Sequence, residues 1–146
     1  LHLSLRRQRQ MCIRDRDYTV SYSSNKYVGT AKVKITGKGS FNGSKTQTFV
    51  IVPKATKIKK LKGQKNGFII QIVPQKTQTT AYEMQCSTNS KFKNASRYVI
   101  SNKYKKVSIR TLKRKKKYYV RIRTYKTKGK WNYLSSWSPV KTVKTK

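Results

Sequence analysis

Acidic side chains are nearly missing from this chain. Asp15, Asp17 and Glu83 are the only three among 146 residues, against 37 Lys and Arg, which leaves a formal charge of +34 at pH 7. Histidine is present once, as His2, and cysteine only as Cys12 and Cys86. General acid/base catalysis needs a titrating pair, and metal sites need converging His, Cys or carboxylate ligands. Neither can be assembled from this inventory, so the sequence leads us to expect no enzyme, no catalytic residue, no cofactor, no metal ligand and no small-molecule substrate. Two cysteines supply no disulfide framework. Long apolar runs are lacking too: no stretch approaches the roughly 20 residues that a membrane-spanning helix requires.

Apolar residues make up 35% of the chain, below the roughly 45 to 50% of average soluble proteins. With this charge, the composition approaches that of disordered polycations. Aromatic residues at 11%, ten of them Tyr, argue for a folded core. Residues 1–16 show no strand alternation, no apolar stretch of signal-peptide length and no small-residue cleavage site. The string Met11-Cys12-Ile13-Arg14-Asp15-Arg16 resembles translated sequencing-adapter read-through. The segment is therefore expected to be non-native or disordered, in a chain truncated upstream, with a genuine basic arm as the alternative.

From Asp17 onward apolar and polar residues alternate with period two, the pattern of half-buried strands. Tyr18, Val20 and Tyr22 form one set, Ala31, Val33 and Ile35 a second, Phe49 and Ile51 a third. Asn25-Lys26 and the glycine-rich stretch 37–43 supply turns, and Pro53 closes the last of these strands. A second unit spans 54–146 and alternates in the same way at Phe68, Ile70, Ile72; Tyr82, Met84, Cys86; Val107, Ile109; and Tyr118, Val120, Ile122. Each set shares one face of its strand. Turn-rich stretches at 74–80, 88–95 and 126–132 separate them. Short strands at this spacing, with no helical period, predict an all-β antiparallel sandwich preceded by a truncated β-module at 17–53. Three antiparallel strands are marginal alone, which fits a module whose first half is missing.

The second unit resembles a fibronectin type III domain of the kind found in surface and secreted proteins of Gram-positive bacteria. The resemblance is carried by Phe68-x-Ile70-x-Ile72, by Tyr82-x-Met84-x-Cys86-Ser87-Thr88, by the Leu112 to Tyr118 spacing followed by Tyr119-Val120-Arg121-Ile122-Arg123, and by Ser136-Trp137-Ser138 before Val140. It covers nearly all of 54–146. Ile72 stands where such domains usually place a core Trp, and Cys86 where these bacterial relatives usually carry Tyr. Both remain apolar, which implies a repacked core and an unchanged fold. Residues 17–53 resemble the last strands of a bacterial Ig-like domain through Tyr18-Thr19-Val20-Ser21-Tyr22, Val28-Gly29-Thr30-Ala31 and Gly37-Lys38-Gly39-Ser40-Phe41-Asn42-Gly43. Such tandem modules imply stalks and spacers in exported proteins, without catalytic residues. The resemblance also implies that Tyr118 is a corner tyrosine whose hydroxyl ties back to the loop before it.

The glycines at 37–43 precede a Lys45-Thr46 pair, but their spacing fits neither nucleotide-binding pattern and an alternating strand follows, so no helix N-terminus is available for phosphate. Lys113, Arg114, Lys115, Lys116 and Lys117 lie in the loop before the strand of Tyr118. A charge run in a loop is commonly a solvated surface. It is also a contact for a polyanion, and Arg121 and Arg123 continue on the outward face of the next strand beside Tyr119 and Tyr125. Lys on outer strands discourages edge pairing as well. Trp137 reads as a packing residue and Cys86 as a small buried apolar one.

The expected function is that of a non-catalytic extracellular module, a spacer with an adhesive surface, secreted or displayed by a Gram-positive bacterium. Its expected partners are anionic cell-wall polymer, glycan or mucin, together with neighbouring domains of a longer parent chain. The alternative is a nucleic-acid-binding basic β domain, because single-strand binding surfaces combine Arg with stacked rings.

Overall fold

Period-two alternation resolves into strands throughout the computed structural model, which describes residues 17–146. The expectation for residues 1–16 lies outside the described residues. The first three strands, β1 (Tyr18–Ser23), β2 (Gly29–Gly37) and β3 (Ser44–Ile51), form an antiparallel sheet in that order. Register sets Val20 opposite Ile35, Tyr22 opposite Val33 and Ala31 opposite Phe49, so the apolar sets share one face. Ala31 and nearby Val28 are buried, while Val20, Tyr22, Ile35 and Phe49 stay exposed. The stretch between β2 and β3 is a turn closed by Gly37 N–H donating to the Gly43 carbonyl and Phe41 N–H to that of Lys38. No helix follows it, as the alternation implied.

The remaining strands build a sandwich. One sheet contains β4 (Ile58–Gln64), β5 (Gly67–Ile72) and β8 (Lys106–Ile109), in the order β4-β5-β8. The other contains β6 (Ala81–Ser87), β7 (Ser96–Ser101), β9 (Lys117–Lys128) and β10 (Trp131–Leu134), in the order β10-β9-β6-β7, with β11 (Lys141–Lys144) also paired to β9. Every pairing is antiparallel. Between the sheets lie Phe68, Ile70, Ile72, Tyr82, Met84, Cys86, Val120 and Ile122, all buried. Ile72 and Cys86 are 2% and 1% exposed, so the two apolar replacements do fill the core.

Two details of the sandwich position its surfaces. The last strand is broken between β10 and β11, and serine hydroxyls bridge the gap: Ile122 N–H donates to Ser138 Oγ at 3.1 Å and Thr124 N–H to Ser135 Oγ at 3.0 Å. The backbone N–H groups of the same serines donate to the Ile122 and Thr124 carbonyls. The ladder of β9 thereby stays satisfied where its neighbour has left strand geometry. Secondly, Gly63 and Gly67 let strands close on each other. A Cβ at Gly67 would collide with the Ile109 carbonyl, and one at Gly63 with that of Lys144.

The sequence pattern placed a turn across 126–132, whereas β9 runs on to Lys128 and β10 begins at Trp131. Trp131 pairs with Lys128, leaving a tight hairpin at Gly129 and Lys130.

Candidate functional site

Residues of β9 alternate strictly across the sheet. Tyr118, Val120, Ile122 and Thr124 point into the core and are buried. Lys117, Tyr119, Arg121, Arg123 and Tyr125 therefore share the outward face, as the sequence implied. Cross-strand pairing sets Gln85 of β6 opposite Arg121 and Glu83 opposite Arg123.

Side-chain bonds follow this pairing. Arg121 donates to Gln85 Oε1 from Nε at 3.0 Å and from Nη2 at 2.7 Å. Arg123 donates to Glu83 Oε2 from Nε and Nη2, each at 2.8 Å. Arg97 of β7 reaches the other carboxylate oxygen, Oε1, at 2.7 Å. Glu83 is 1% exposed, a buried anion held by two guanidinium groups.

The rings that stack on the arginines are not Tyr119 and Tyr125. Trp137, delivered by the break between β10 and β11, lies against both guanidinium groups, 4.4 Å from Arg121 and 4.2 Å from Arg123. Phe92, in the turn between β6 and β7, lies 4.0 Å from Arg121. A continuous stack thus runs from Phe92 through Arg121 and Trp137 to Arg123 and ends on Glu83. Burial and the neighbouring Arg123 charge lower the pKa of Arg121, while Glu83 partly opposes them. Lys117 sits over the Tyr119 ring at 5.4 Å.

Residues 113–117 lead up to that outward face: 113–116 form the loop before β9, whereas Lys117, which the sequence reading put in the loop, is the first residue of the strand. All five side chains are exposed, yet their backbone is pinned. Lys113 N–H donates to the Tyr118 hydroxyl at 3.1 Å, the tie that the corner-tyrosine resemblance implied. The Thr145 hydroxyl donates to the Lys113 carbonyl at 2.7 Å and accepts from Lys116 N–H at 3.1 Å. Thr145 N–H donates to the Lys116 carbonyl. The loop thus presents charged, flexible stems on a fixed backbone, while Arg121 and Arg123 are tied to side chains of their own sheet.

Cys86 packs in the core, where burial pushes its thiol to about 11 from an ordinary 9.0, so it is no nucleophile at neutral pH. Among the described residues, no group of three His, Cys, Asp or Glu side chains could hold a metal ion, and no helix is long and apolar enough to cross a membrane. The sequence reading missed the roles of Phe92, Glu83, Gln85 and Arg97. Glu83 alone gave a signal, as the single acid within 54–146.

Comparison with solved structures gives the class of fold. The chain is similar to the FN1-FN3 domains of chicken CNTN1, with a TM-score of 0.53 and 14% identity over 82% of this chain and 42% of that one. It is also similar to a beta-1,2-glucanase from Parabacteroides distasonis, with a TM-score of 0.52 and 13% identity over 79% of this chain and 17% of the enzyme. At these identities the likeness concerns the fold alone. The fold is an antiparallel β-sandwich of the fibronectin type III and Ig-like kind. No family model matches the sequence, and no curated protein matches it.

Proposed function

We propose that this chain is a non-catalytic spacer module of an extracellular protein, secreted or displayed by a Gram-positive bacterium, with an adhesive surface for anionic cell-wall polymer, glycan or mucin. The observation that carries this reading is the segment 113–117, a loop and the first residue of β9, with five exposed cations on a backbone fixed by Tyr118 and Thr145. A pre-fixed backbone spares the site the entropy of ordering a loop when a polymer binds. Residues 17–53, with an apolar sheet face still partly exposed, fit the closing strands of an Ig-like module joined to further domains of a longer chain.

The nucleic-acid alternative asks for rings on which bases can stack. Trp137 and Phe92 are the rings beside the arginines, and guanidinium groups already lie against them. The adhesive reading is therefore the better supported. Its test is retention of the purified chain on an immobilised anionic polysaccharide and on a neutral one at low ionic strength. Retention on the anionic matrix alone, falling steeply as salt rises, is the expected result. Equal retention on both matrices would overturn it.

A further inference from the structure

We propose that the sandwich carries a binding site for a phosphodiester polymer at one pole, assembled from three segments distant in sequence; this rests on the adhesive reading above and locates it. The first segment is the turn between β4 and β5, which presents Lys65. The second runs from Arg110 through the cations at 113–117. The third is the end of the chain, with Lys144 and Lys146.

Backbone hydrogen bonds hold the three together. Lys146 N–H donates to the Gln64 carbonyl and Asn66 N–H to a main-chain oxygen of Lys146, which joins the turn to the third segment. Leu112 N–H donates to the Asn66 carbonyl, which joins the turn to the second. Thr145 ties the second to the third, and register sets Lys144 opposite Lys117. Gly63 and Gly67 are the positions that allow this approach, since a Cβ at either would meet backbone from another segment. Gln64, Lys65, Asn66 and Arg110 line an open hollow of about 420 Å³ at this pole. The two side-chain carboxylates among the described residues are elsewhere, Asp17 beside the three-stranded sheet and Glu83 between Arg97 and Arg123.

The chemistry of the pole selects its ligand. Its charges are mostly Lys, compact point charges on flexible stems, which can follow a succession of singly charged phosphates along a polymer without the fixed planar geometry of an Arg fork. Stacking is not on offer: the Tyr118 ring is buried with its hydroxyl accepting from Lys113 N–H, and Tyr119 lies under Lys117. Recognition through phosphate alone follows, without reading of bases.

The test uses the full chain and a poly(glycerol phosphate) probe. One variant carries Lys65→Gln, Arg110→Gln, Lys144→Gln and Lys146→Gln. A control of equal net charge carries Lys32→Gln, Lys34→Gln and Lys45→Gln in the three-stranded sheet and Lys26→Gln in the turn between β1 and β2. All eight side chains are exposed, and thermal melts of both variants establish that they fold. The pole variant is expected to bind about tenfold or more weakly, with the control nearly unchanged. Its slope of log affinity against log salt should become shallower by roughly 0.7 for each phosphate that it no longer neutralises. Equal weakening in both variants would overturn the pole while leaving the adhesive reading intact. Failure of the parent chain to bind any polyanion at low salt would remove that reading itself. Single-stranded DNA of matched phosphate number binding far more tightly than the probe would replace phosphate recognition by base recognition. A polyuronate of matched charge binding as tightly as the probe would overturn the preference for phosphate.

Discussion

Glu83 shows how far one residue's role depends on its surroundings. Its carboxylate is buried and accepts from Arg123 on one oxygen and Arg97 on the other. Breaking a buried ion pair by removing one partner leaves the other charge uncompensated and costs about 3 to 5 kcal/mol. Glu83→Gln should therefore lower the unfolding free energy by about 3 kcal/mol in urea melts. The exposed partner contributes less: the Arg97 side chain is 63% exposed, and pairs of that kind contribute about 1 kcal/mol or less. Arg97→Met costing as much as Glu83→Gln would contradict this account. At this scale the sequence was only partly legible. The outward position of Arg121 and Arg123 follows from period two, which is a local property. Their partners do not, because Phe92 and Trp137 arrive from a turn and a broken strand far along the chain, and alternation says nothing about which rings meet across a sheet.

Strands were legible where the chain pleats regularly and hidden where it does not. The apolar sets at 68–72, 82–86 and 118–122 fall in β5, β6 and β9 because each strand is flanked on both sides and turns every second residue into the core. β4 escaped because a register shift between Ile58 and Lys60 breaks its pleat, so its inward residues Ile58 and Leu61 stand three apart. β11 escaped because it is four residues long and buries only Val143. Gly63 and Gly67 were equally silent in the sequence, although the closure of β4 and β5 against their neighbours depends on them. Gly67→Ala drives a methyl into the Ile109 carbonyl and should cost about 3 kcal/mol, the upper range for overpacking a filled site. Gly129→Ala is the comparison. Its φ is +59° with open space around it, so backbone strain of about 1 to 2 kcal/mol is the whole cost. Urea melts placing Gly129→Ala at or above Gly67→Ala would show that the strands are not closed there.

The whole molecule must contain its own charge. The 37 Lys and Arg of this 146-residue chain have no acidic counterweight beyond three side-chain carboxylates, and one of these, Glu83, is already engaged by two arginines. Lysines extend over other surfaces as well: Lys60, Lys62 and Lys106 surround one hollow on the outside of the β4-β5-β8 sheet, and the pole concentrates more. Repulsion among like charges grows as the chain compacts, so it opposes folding and is weakened when the Debye length falls from about 30 Å at 0.01 M to about 8 Å at 0.15 M salt. The engaged pairs, being partly or fully buried, are screened far less. The balance therefore favours the folded state as salt is added, the reverse of a protein held together by surface ion pairs. If screening contributes about 1 kcal/mol, Tm should rise by roughly 4 °C between those two salt concentrations. A thermal melt that stays level or falls over the same range would mean that the pairs around Glu83 outweigh the repulsion of the lysines. An adhesive role needs the rise, because a bound polyanion relieves the same repulsion that salt relieves, and the free energy released on screening is then available to binding.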